Sequence, residues 1–360
     1  MNEQKKDQPA SKGRKAINPA VARHRLRNKS RGLSAADYVK GILEGDRILL
    51  SQAITLVEST RSEHQQLAQT IIEQCLPHRK PSVRIGITGS PGVGKSTFIE
   101  ALGQLLINRG HQLAVLAIDP SSQVSKGSIL GDKTRMTSLS TAQQAFIRPS
   151  PAGRSLGGVA QKTRATILLC EAAGFDTLLI ETVGVGQSET IVHSMVDLFL
   201  LLLLPGAGDE LQGIKRGIVE MADIVAINKA DGDRLSLAKR TKREYRNALH
   251  LFPPKESQWT PQVVLCSALE NKGITNIWDL VDQYVEKGRG SGYFQERRRR
   301  QAHYWLYEEI NEGLKTLFFE QESIKNRLPE IEKAVLEGQL SATQAAQMLL
   351  EMFVSGRPKD

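Results

Sequence analysis

Short runs of β-branched and other apolar residues recur along the middle of the chain, from residue 81 to about residue 288. Runs of this kind, bounded by turn residues, are typical of strands that are buried on both faces. Stretches with an apolar residue every three or four positions separate many of them, which is typical of amphipathic helices. The alternation predicts an α/β fold with a mostly parallel sheet flanked by helices. The predicted strands are 83–88, 113–118, 145–148, 176–181, 197–204, 223–228 and 262–266.

Residues 34–80 show helical rather than strand periodicity. Ser34 is a candidate helix cap, and three apolar series at helical spacing follow it before Pro77 and Pro81. We therefore expect an N-terminal helical extension ahead of the central domain at 81–288.

Helical periodicity returns in the segment 289–360. A long helix is predicted from the four consecutive arginines at 297–300, and a last helix follows Ser341. The arginines could contact phosphate or form a solvated helix start. The C-terminal helices could pack on the central domain or on a second copy of the chain.

The positive charge of the chain is concentrated at one end. The 360 residues carry a net formal charge of +9, and residues 1–34 hold ten Lys and Arg against Glu3 and Asp7. The other residues are nearly neutral, with 38 basic and 37 acidic side chains. Because the first 33 residues contain few large apolar side chains, we expect them to form a disordered basic tail. We do not expect nucleic acid as a partner of the neutral remainder.

The longest apolar run, Leu198 to Leu204, is much shorter than a membrane span. The N-terminus lacks the apolar stretch of a secretory signal. Cys75, Cys170 and Cys266 lie far apart, without the spacing of a metal site or a redox pair. We therefore expect a cytoplasmic protein with buried thiols and no membrane span.

A glycine-rich segment follows the first predicted strand and precedes a predicted helix. It fits the pattern G-x-x-x-x-G-K-[ST], which in this context binds phosphate through converging backbone N–H groups and a helix N-terminus. Lys95 would reach the β and γ phosphates of a nucleoside triphosphate, and the Ser96 hydroxyl would ligate Mg²⁺. The candidate nucleotide-binding residues here are Gly89, Ser90, Pro91, Gly92, Val93, Gly94, Lys95, Ser96 and Thr97.

An N-K-x-D motif follows the sixth predicted strand. The carboxylate of Asp231 can accept two hydrogen bonds from N1–H and the exocyclic amine of guanine, whereas adenine presents an acceptor at N1. Lys229 would lie over the base, and Asn228 would brace neighbouring loops. Backbone groups after the seventh strand are placed to contact the same base, in the segment Ser267, Ala268 and Leu269.

Acidic residues at strand ends are candidates for metal binding and catalysis. Asp119 follows the second strand, and Glu181 opens an E-T-V-G segment that is similar to the D-x-x-G element of GTPases. Asp132 lies in a polar, glycine-rich stretch, and Gly184 could place its N–H on the γ-phosphate. Mg²⁺ prefers oxygen ligands, and a carboxylate near the γ-phosphate could instead orient the attacking water. The division of these roles among Asp119, Asp132 and Glu181 is open.

Longer motifs resemble the methylmalonyl-CoA mutase-associated GTPases, a family of P-loop GTPases that includes MeaB, MMAA and ArgK-like proteins. They are Gly89–Ser96, Asp119–Ser122, Gly127–Met136, Glu181–Glu189, Gly206–Lys215 and Asn228–Asp231. The resemblance covers about residues 35–355. It implies a homodimeric chaperone that binds and hydrolyses GTP, gates adenosylcobalamin loading and protects methylmalonyl-CoA mutase or a related acyl-CoA mutase.

The same resemblance implies roles for individual residues. Ser96, Asp119, Asp132 and Glu181 would form the Mg²⁺ and catalytic cluster, together with Lys95. The segment from about 206 to 218 would be a mobile switch that reports nucleotide state, with Lys215 as a key contact. The C-terminal helices would form the dimer. One departure from the family pattern is Lys126–Gly127, where a Gly-Gly pair is expected.

Three other classes of function match parts of the sequence. One is an accessory ATPase or kinase of a basic amino-acid transport system, which Asp231 disfavours because it should reject adenine. Another is a metallochaperone GTPase, but Cys75 and His78 have no second pair to complete a metal site. The third is nucleic-acid binding through the basic tail, which would be sensitive to salt.

Overall fold

A computed structural model describes residues 33–118, 136–150, 156–182, 188–207 and 216–355. Their strands form one parallel sheet in the order β3-β2-β4-β1-β5-β6-β7. The predicted α/β fold is confirmed, and each predicted strand end lies within two residues of the observed one. The strands are β1 (Val83–Gly89), β2 (Leu113–Ile118), β3 (Ala145–Ser150), β4 (Thr177–Thr182), β5 (Leu198–Leu203), β6 (Ile224–Ile227) and β7 (Gln262–Leu265).

Helices precede, separate and follow these strands. Three lie before the sheet: α1 (Ala35–Leu43), α2 (Arg47–Glu58) and α3 (Ser62–Cys75). Those between strands are α4 (Lys95–Asn108), α5 (Thr137–Thr141), α6 (Leu156–Ala172), α7 (Ser188–His193), α8 (Arg216–Met221) and α9 (Leu235–Leu249). After β7 come α10 (Ile274–Gly290), α11 (Tyr293–Glu320), α12 (Glu322–Leu336) and α13 (Ala342–Ser355). The predicted helical extensions at both ends are therefore confirmed.

Strand β5 lies inside the sheet, between β1 and β6, and is buried on both faces, as its apolar run predicts. Leu198, Leu200 and Leu202 pack with α4 and α10 on one side of the sheet. Phe199 packs on the other side, in a cluster with residues of α1, α2, α3, α6 and α7. Because both faces of the sheet are covered, its strands consist of continuous apolar residues rather than an alternating pattern.

The N-terminal helices belong to this second cluster. Ser34 caps α1 with a reciprocal pair of hydrogen bonds to Asp37, which is the capping box that its position suggests. Tyr38, Ile42 and Ile54 are buried there together with Ile167 and Cys170 of α6. In the part of the chain that the structure describes, no helix is long and apolar enough to cross a bilayer. The three cysteines are buried and unpaired, as expected.

One helix was not predicted. The segment that forms α12 contains Pro329, and proline in a helix interior removes a hydrogen bond and strains the preceding turn. Tertiary packing offsets this cost, because Ile324 and Ile331 are buried against Ala345 and Leu349 of α13. The two helices thus form a hairpin whose stability comes from their shared apolar interface.

Only part of the arginine run is solvated in the structure, since Arg299 and Arg300 are exposed. Helix α11 begins four residues earlier, at Tyr293, and two of the arginines face the sheet. Arg297 donates to the carbonyl oxygen of Val196 at 3.1 Å. Arg298 donates to both oxygens of the Asp197 carboxylate, at 2.9 and 2.6 Å, and to the carbonyl oxygen of Ser82 at 3.0 Å. These contacts attach α11 to the amino-terminal ends of β1 and β5.

Asp197 is a buried carboxylate whose charge is compensated from two directions. Burial by itself raises the pKa of Asp197, but the hydrogen bonds and charge of Arg298, with the backbone N–H of Arg84, hold that pKa below its ordinary value. A carboxyl group with a depressed pKa stabilises the fold above its unfolded pKa of about 3.9, and this contribution is lost as the pH falls through the folded pKa.

We predict that Arg298→Met lowers the free energy of unfolding by about 3 kcal/mol, because it leaves a buried carboxylate without its partner. This value lies at the low end of the free-energy cost of breaking a buried ion pair, because 32% of the Arg298 side chain is exposed. Urea denaturation at pH 7 measures the change. The matched control is Arg299→Met on the same helix, which alters a side chain that is 80% exposed. Equal stability of the two variants would contradict the assignment, and the difference should shrink below about pH 4.

Candidate functional site

Three loops meet at the carboxyl-terminal edge of the sheet. The glycine-rich loop follows β1, the segment 228–231 follows β6, and the segment 267–269 follows β7. Ligands of open parallel sheets bind at this edge, because the loops after neighbouring strands converge there. The structure thus brings together the sequence motifs for phosphate and for base.

Two glycines of the first loop are required by their surroundings. Gly89 has φ of +154°, and a Cβ there would lie 2.5 Å from the carbonyl oxygen of Leu202. Gly94 has φ of +95°, and a Cβ there would lie 2.9 Å from the side-chain nitrogen of Asn228. Both positions therefore exclude any residue with a side chain. The loop passes so close to β5 and to Asn228 that its backbone, rather than its side chains, lines the site.

Helix α4 starts directly behind this loop. Lys95, its first residue, is buried and donates from Nζ to the carbonyl oxygen of Gly89 at 2.8 Å and of Ser90 at 3.4 Å. Ser96 is half-buried and Thr97 is exposed in the same first turn. The partial positive charge and the N–H groups of this 14-residue helix face the loop, which suits an anion.

Asn228 joins all three loops. Its side-chain nitrogen donates to the carbonyl oxygen of Val93 at 2.8 Å. Its side-chain oxygen accepts from the backbone N–H of Ala268 at 3.1 Å. Since Asn228 itself begins the segment after β6, one buried amide holds the phosphate loop and both base-side segments in register.

The other residues of the N-K-x-D motif lie at the same junction. Lys229 adopts a left-handed backbone with φ of +57° and donates from Nζ to the carbonyl oxygen of Gly92 at 2.7 Å. Its stem therefore spans from the base-side loop to the phosphate loop. Asp231 accepts from the Ser267 hydroxyl at 2.5 Å, which orients the carboxylate. Leu269 is 82% exposed at the rim of this junction.

Glu181 is the described member of the predicted acidic cluster. It is buried near the end of β4, where it pairs in register with Ile87 of β1 and Ala117 of β2. Next to it, the Thr182 hydroxyl donates to the Thr88 hydroxyl at 2.8 Å. Glu181 thus lies between the strand that enters the phosphate loop and the strand that precedes position 119. The predicted site residues Asp119, Asp132, Gly184 and Lys215, and the Lys126–Gly127 departure, lie outside the described residues.

Sequence reasoning missed two side chains that support this edge of the sheet. Thr241 accepts from the backbone N–H of Gly206 at 2.9 Å, and the Tyr245 hydroxyl donates to the carbonyl oxygen of Ala207 at 2.9 Å. Both lie on the buried face of α9 and hold the start of the segment predicted to be a switch. Their spacing along the helix predicts that both are buried. It does not reveal their hydrogen-bond partners, which lie 35 and 38 positions away in the sequence.

These residues fit a nucleoside triphosphate on structural grounds. The positions of Gly89 and Gly94 exclude side chains, and a buried lysine lies at the start of a helix beside them. Ser96 and Glu181 provide oxygen donors of the type that Mg²⁺ prefers. Within the described ranges, no group of three or more His, Cys, Asp and Glu side chains is placed to hold a metal ion.

The fold and the site together define a P-loop GTPase. The model of the family "Methylmalonyl Co-A mutase-associated GTPase MeaB" matches residues 50–323. The chain belongs to this family, and the resemblance noted in its motifs is confirmed.

Named relatives cover most of the chain. A "Putative GTPase" of Caulobacter vibrioides is 50% identical over 312 residues, which are 87% of this chain and 95% of the relative. The mouse "Methylmalonic aciduria type A homolog, mitochondrial" is 47% identical over 325 residues, covering 88% of this chain and 78% of that one. "GTPase ArgK" of Escherichia coli is 44% identical over 318 residues, with coverage of 88% and 96%.

A solved structure has the same fold over nearly the whole chain. It is the "Crystal structure of LAO/AO transport system kinase", with a TM-score of 0.70 and 36% identity, covering 94% of this chain and 99% of that one. The helical extensions before and after the sheet therefore belong to the shared architecture.

We predict that Asn228→Ala weakens GDP binding by about tenfold to a hundredfold, because the phosphate loop loses its link to the base-side segments and the carbonyl of Val93 loses its donor. Titration with a fluorescent GDP analogue measures the affinity. Asn247→Ala, at an exposed position of α9, is the matched control and should bind as the wild type does. If both variants bind GDP equally well, Asn228 does not organise the site.

Proposed function

We propose that this GTPase is a chaperone of an adenosylcobalamin-dependent mutase, which gates cofactor loading and protects the mutase from inactivation. The client is methylmalonyl-CoA mutase or a related acyl-CoA mutase. The observation that carries the proposal is the match to the mutase-associated family across both the nucleotide site and the helices around it. The name of the mouse relative, which refers to methylmalonic aciduria, supports it.

In the proposed nucleotide site, GTP and GDP bind across the loop junction. The residues Gly89 to Thr97 cradle the phosphates, and Gly184 adds a backbone N–H. Asp231 accepts from the guanine base with its orientation set by Ser267, while Lys229, Asn228, Ala268 and Leu269 complete the base side. The closeness of the loops supports this assignment, because Lys229 and Asn228 already bond to the phosphate loop.

We assign Ser96, Asp119, Asp132 and Glu181 to Mg²⁺ binding. When bound, Mg²⁺ neutralises negative charge on the phosphate oxygens. Lys95 would supply positive charge to the same oxygens, and Asp132, Glu181 and Lys215 would act during hydrolysis. Burial of Glu181 beside the start of the phosphate loop supports a role for it at the γ-phosphate end.

The segment 206–218 is the proposed switch that reports nucleotide state to the mutase, with Lys215 as a contact. Its start is fixed, because Thr241 and Tyr245 bond to Gly206 and Ala207. An anchored start next to the nucleotide site suits a segment that changes conformation with the nucleotide.

The C-terminal segment from residue 289 is the proposed dimerisation region. Helix α11 carries an exposed apolar stripe at helical spacing, formed by Tyr307, Ile310, Leu314 and Leu317, whose exposed fractions are 45–60%. A soluble helix that exposes such a stripe is typical of an interface with another chain. A second copy packed along α11 would bury it.

The alternative function is an accessory ATPase or kinase of a basic amino-acid transport system. The name of the solved structure, a "LAO/AO transport system kinase", is the observation in its favour. The base side of this chain argues against it, because the Asp231 carboxylate is an acceptor where adenine also presents an acceptor at N1.

The test is GTP hydrolysis by the purified protein, with and without purified methylmalonyl-CoA mutase from the same organism. We expect turnover of GTP but not ATP, and stimulation by the mutase. Lys95→Ala should abolish both the basal and the stimulated rates, because the phosphates lose their cation. GTP turnover that does not respond to the mutase would refute the chaperone role, and turnover of ATP alone would favour the transport function.

We predict that the double variant Ile310→Glu, Leu314→Glu converts a dimer to a monomer, because the interface would bury two carboxylates. Sedimentation equilibrium at micromolar concentration measures the mass. The control Leu336→Glu changes a leucine of α12 that is 87% exposed and lies outside the stripe, so it should stay dimeric. A monomeric wild-type protein, or a dimeric double variant, would disprove this interface.

A further inference from the structure

Helix α9 carries a concentration of positive charge in a domain that is otherwise nearly neutral. Between Arg234 and Leu249 there are six basic side chains and one acidic side chain, Glu244. Five of the basic residues are exposed, and Lys242 is half-buried. Arg234 directly precedes the helix and the other five lie on it. We call these six residues the α9 basic face: Arg234, Lys239, Arg240, Lys242, Arg243 and Arg246.

Ion pairs within the fold do not account for this charge. Among the described residues, only Arg240 of the α9 basic face has a carboxylate within 4.0 Å, namely Glu244 at 2.8 Å. Lys239 and Arg243 are four positions apart on the helix, as are Lys242 and Arg246, so each pair repels. These two pairs oppose helix formation, whereas the pair of Arg240 with Glu244 supports it.

The stability of α9 comes from its opposite face. Ala238, Thr241, Tyr245 and Leu249 are buried in a cluster with β5 and β6 or bonded to the backbone beside it. The hydrophobic contacts of this face are sufficient to place the helix, whatever its outer side carries. The exposed charge is thus available for a role outside the folding of the domain.

The position of α9 relates this charge to the nucleotide. The helix begins four residues after Asp231 of the base-side loop. Its buried face holds Gly206 and Ala207, which lead into the segment 208–215. A molecule bound to the α9 basic face would lie against a helix that touches both the base-side loop and the proposed switch.

We propose that the α9 basic face is a docking surface for an acidic protein surface, and that this surface belongs to the mutase client. The identity of the client rests on the proposed function, whereas the acidic character of the partner rests on the helix. Opposite charge on the partner would steer the encounter and set its orientation.

Features of the helix favour a protein over a nucleic acid as the partner. Leu235 and Leu237 are 40% and 43% exposed at the start of the helix, and they add apolar contact area of the kind that protein interfaces use. Its one aromatic residue, Tyr245, is buried and cannot stack on a base.

Docking on α9 also predicts a link between partner and nucleotide. Thr241 and Tyr245 fix Gly206 and Ala207 from the same helix that the partner contacts. If partner affinity differs between the GTP and GDP states, the partner must change the relative affinities for GTP and GDP by the same factor.

The experiment compares two triple charge reversals with equal change in net charge. The test variant is Lys239→Glu, Arg243→Glu, Arg246→Glu on α9. The matched control is Lys325→Glu, Arg327→Glu, Lys333→Glu at exposed positions of α12. Both keep residues 1–34, so both carry the same basic tail. Basal GTP turnover should match the wild type in both, because none of these residues lies in the nucleotide site, and thermal unfolding verifies that both variants remain folded.

Association with the purified mutase is measured by stopped-flow or surface binding at low and high salt. We expect the association rate constant of the α9 variant to fall by about tenfold to a hundredfold at low salt, and the difference to disappear at about 0.5 M salt. The α12 control should differ from the wild type by less than about threefold. If the two variants bind the mutase equally well, the docking surface is wrong while the chaperone function stands.

A polyglutamate peptide serves as a probe that does not depend on the client. If the wild type fails to bind the mutase, the proposed client is wrong. In that case, weaker binding of polyglutamate by the α9 variant than by the α12 control still supports an acidic protein partner. Equal polyglutamate binding by both variants would overturn the proposal. The proposal would also be overturned if the α9 variant bound a duplex DNA more weakly than the α12 control while both bound polyglutamate equally.

Discussion

The parallel direction of the seven strands in the described part of the chain is the constraint on which the rest of this structure depends. Because every strand runs the same way, the loops after β1, β6 and β7 leave the sheet at one edge and meet there. The close approach of these loops then requires glycine where Gly94 passes the side chain of Asn228. Asn228 completes the arrangement, since its amide donates to one loop and accepts from another. The site is therefore a consequence of sheet topology, with one buried amide setting the distances.

The fold could be predicted from the chain because its strands are unusually uniform. A run such as Leu198 to Leu203 has few alternatives to a strand buried on both faces, so its type could be predicted from its continuous apolar residues, and its ends lie within one residue of the predicted 197–204. The helix that holds Pro329 could not be predicted in this way, because local preference argues against it and only the packing of Ile324 and Ile331 on α13 overrides that preference. The buried contacts of the arginine run could not be predicted for a similar reason. Four adjacent cations indicate solvent, but Asp197, about 100 positions earlier, provides a buried partner for one of them.

In the candidate site too, residues in local motifs could be predicted from the sequence, whereas contacts between distant residues could not. Motifs reveal residues whose role depends on close spacing along the chain, so the phosphate loop and the N-K-x-D segment were visible. Contacts between distant positions were not visible in detail, such as Lys229 with Gly92 or Ser267 with Asp231. Thr241 and Tyr245 have no motif at all, because any hydroxyl on the buried face of α9 would have looked the same in the sequence.

Helix α11 is attached to the sheet by contacts whose charge does not change near neutral pH. His193, the last residue of α7, contacts Arg297 through Nε2 at 3.3 Å and through its carbonyl oxygen at 3.4 Å. Burial, and then the positive charge of Arg297, lower the pKa of His193 to about 4. The ring is therefore neutral above about pH 5, and its Nε2 accepts from the guanidinium, which can only donate. Since the folded pKa lies below the unfolded value of about 6.5, the free energy of unfolding falls as the pH drops from about 6.5 towards 4, because the unfolded chain then binds a proton that the folded His193 does not. Between pH 6.5 and 8 the position of α11 on the sheet is set by hydrogen bonds and packing. The exposed apolar stripe of this helix therefore keeps one orientation relative to α7.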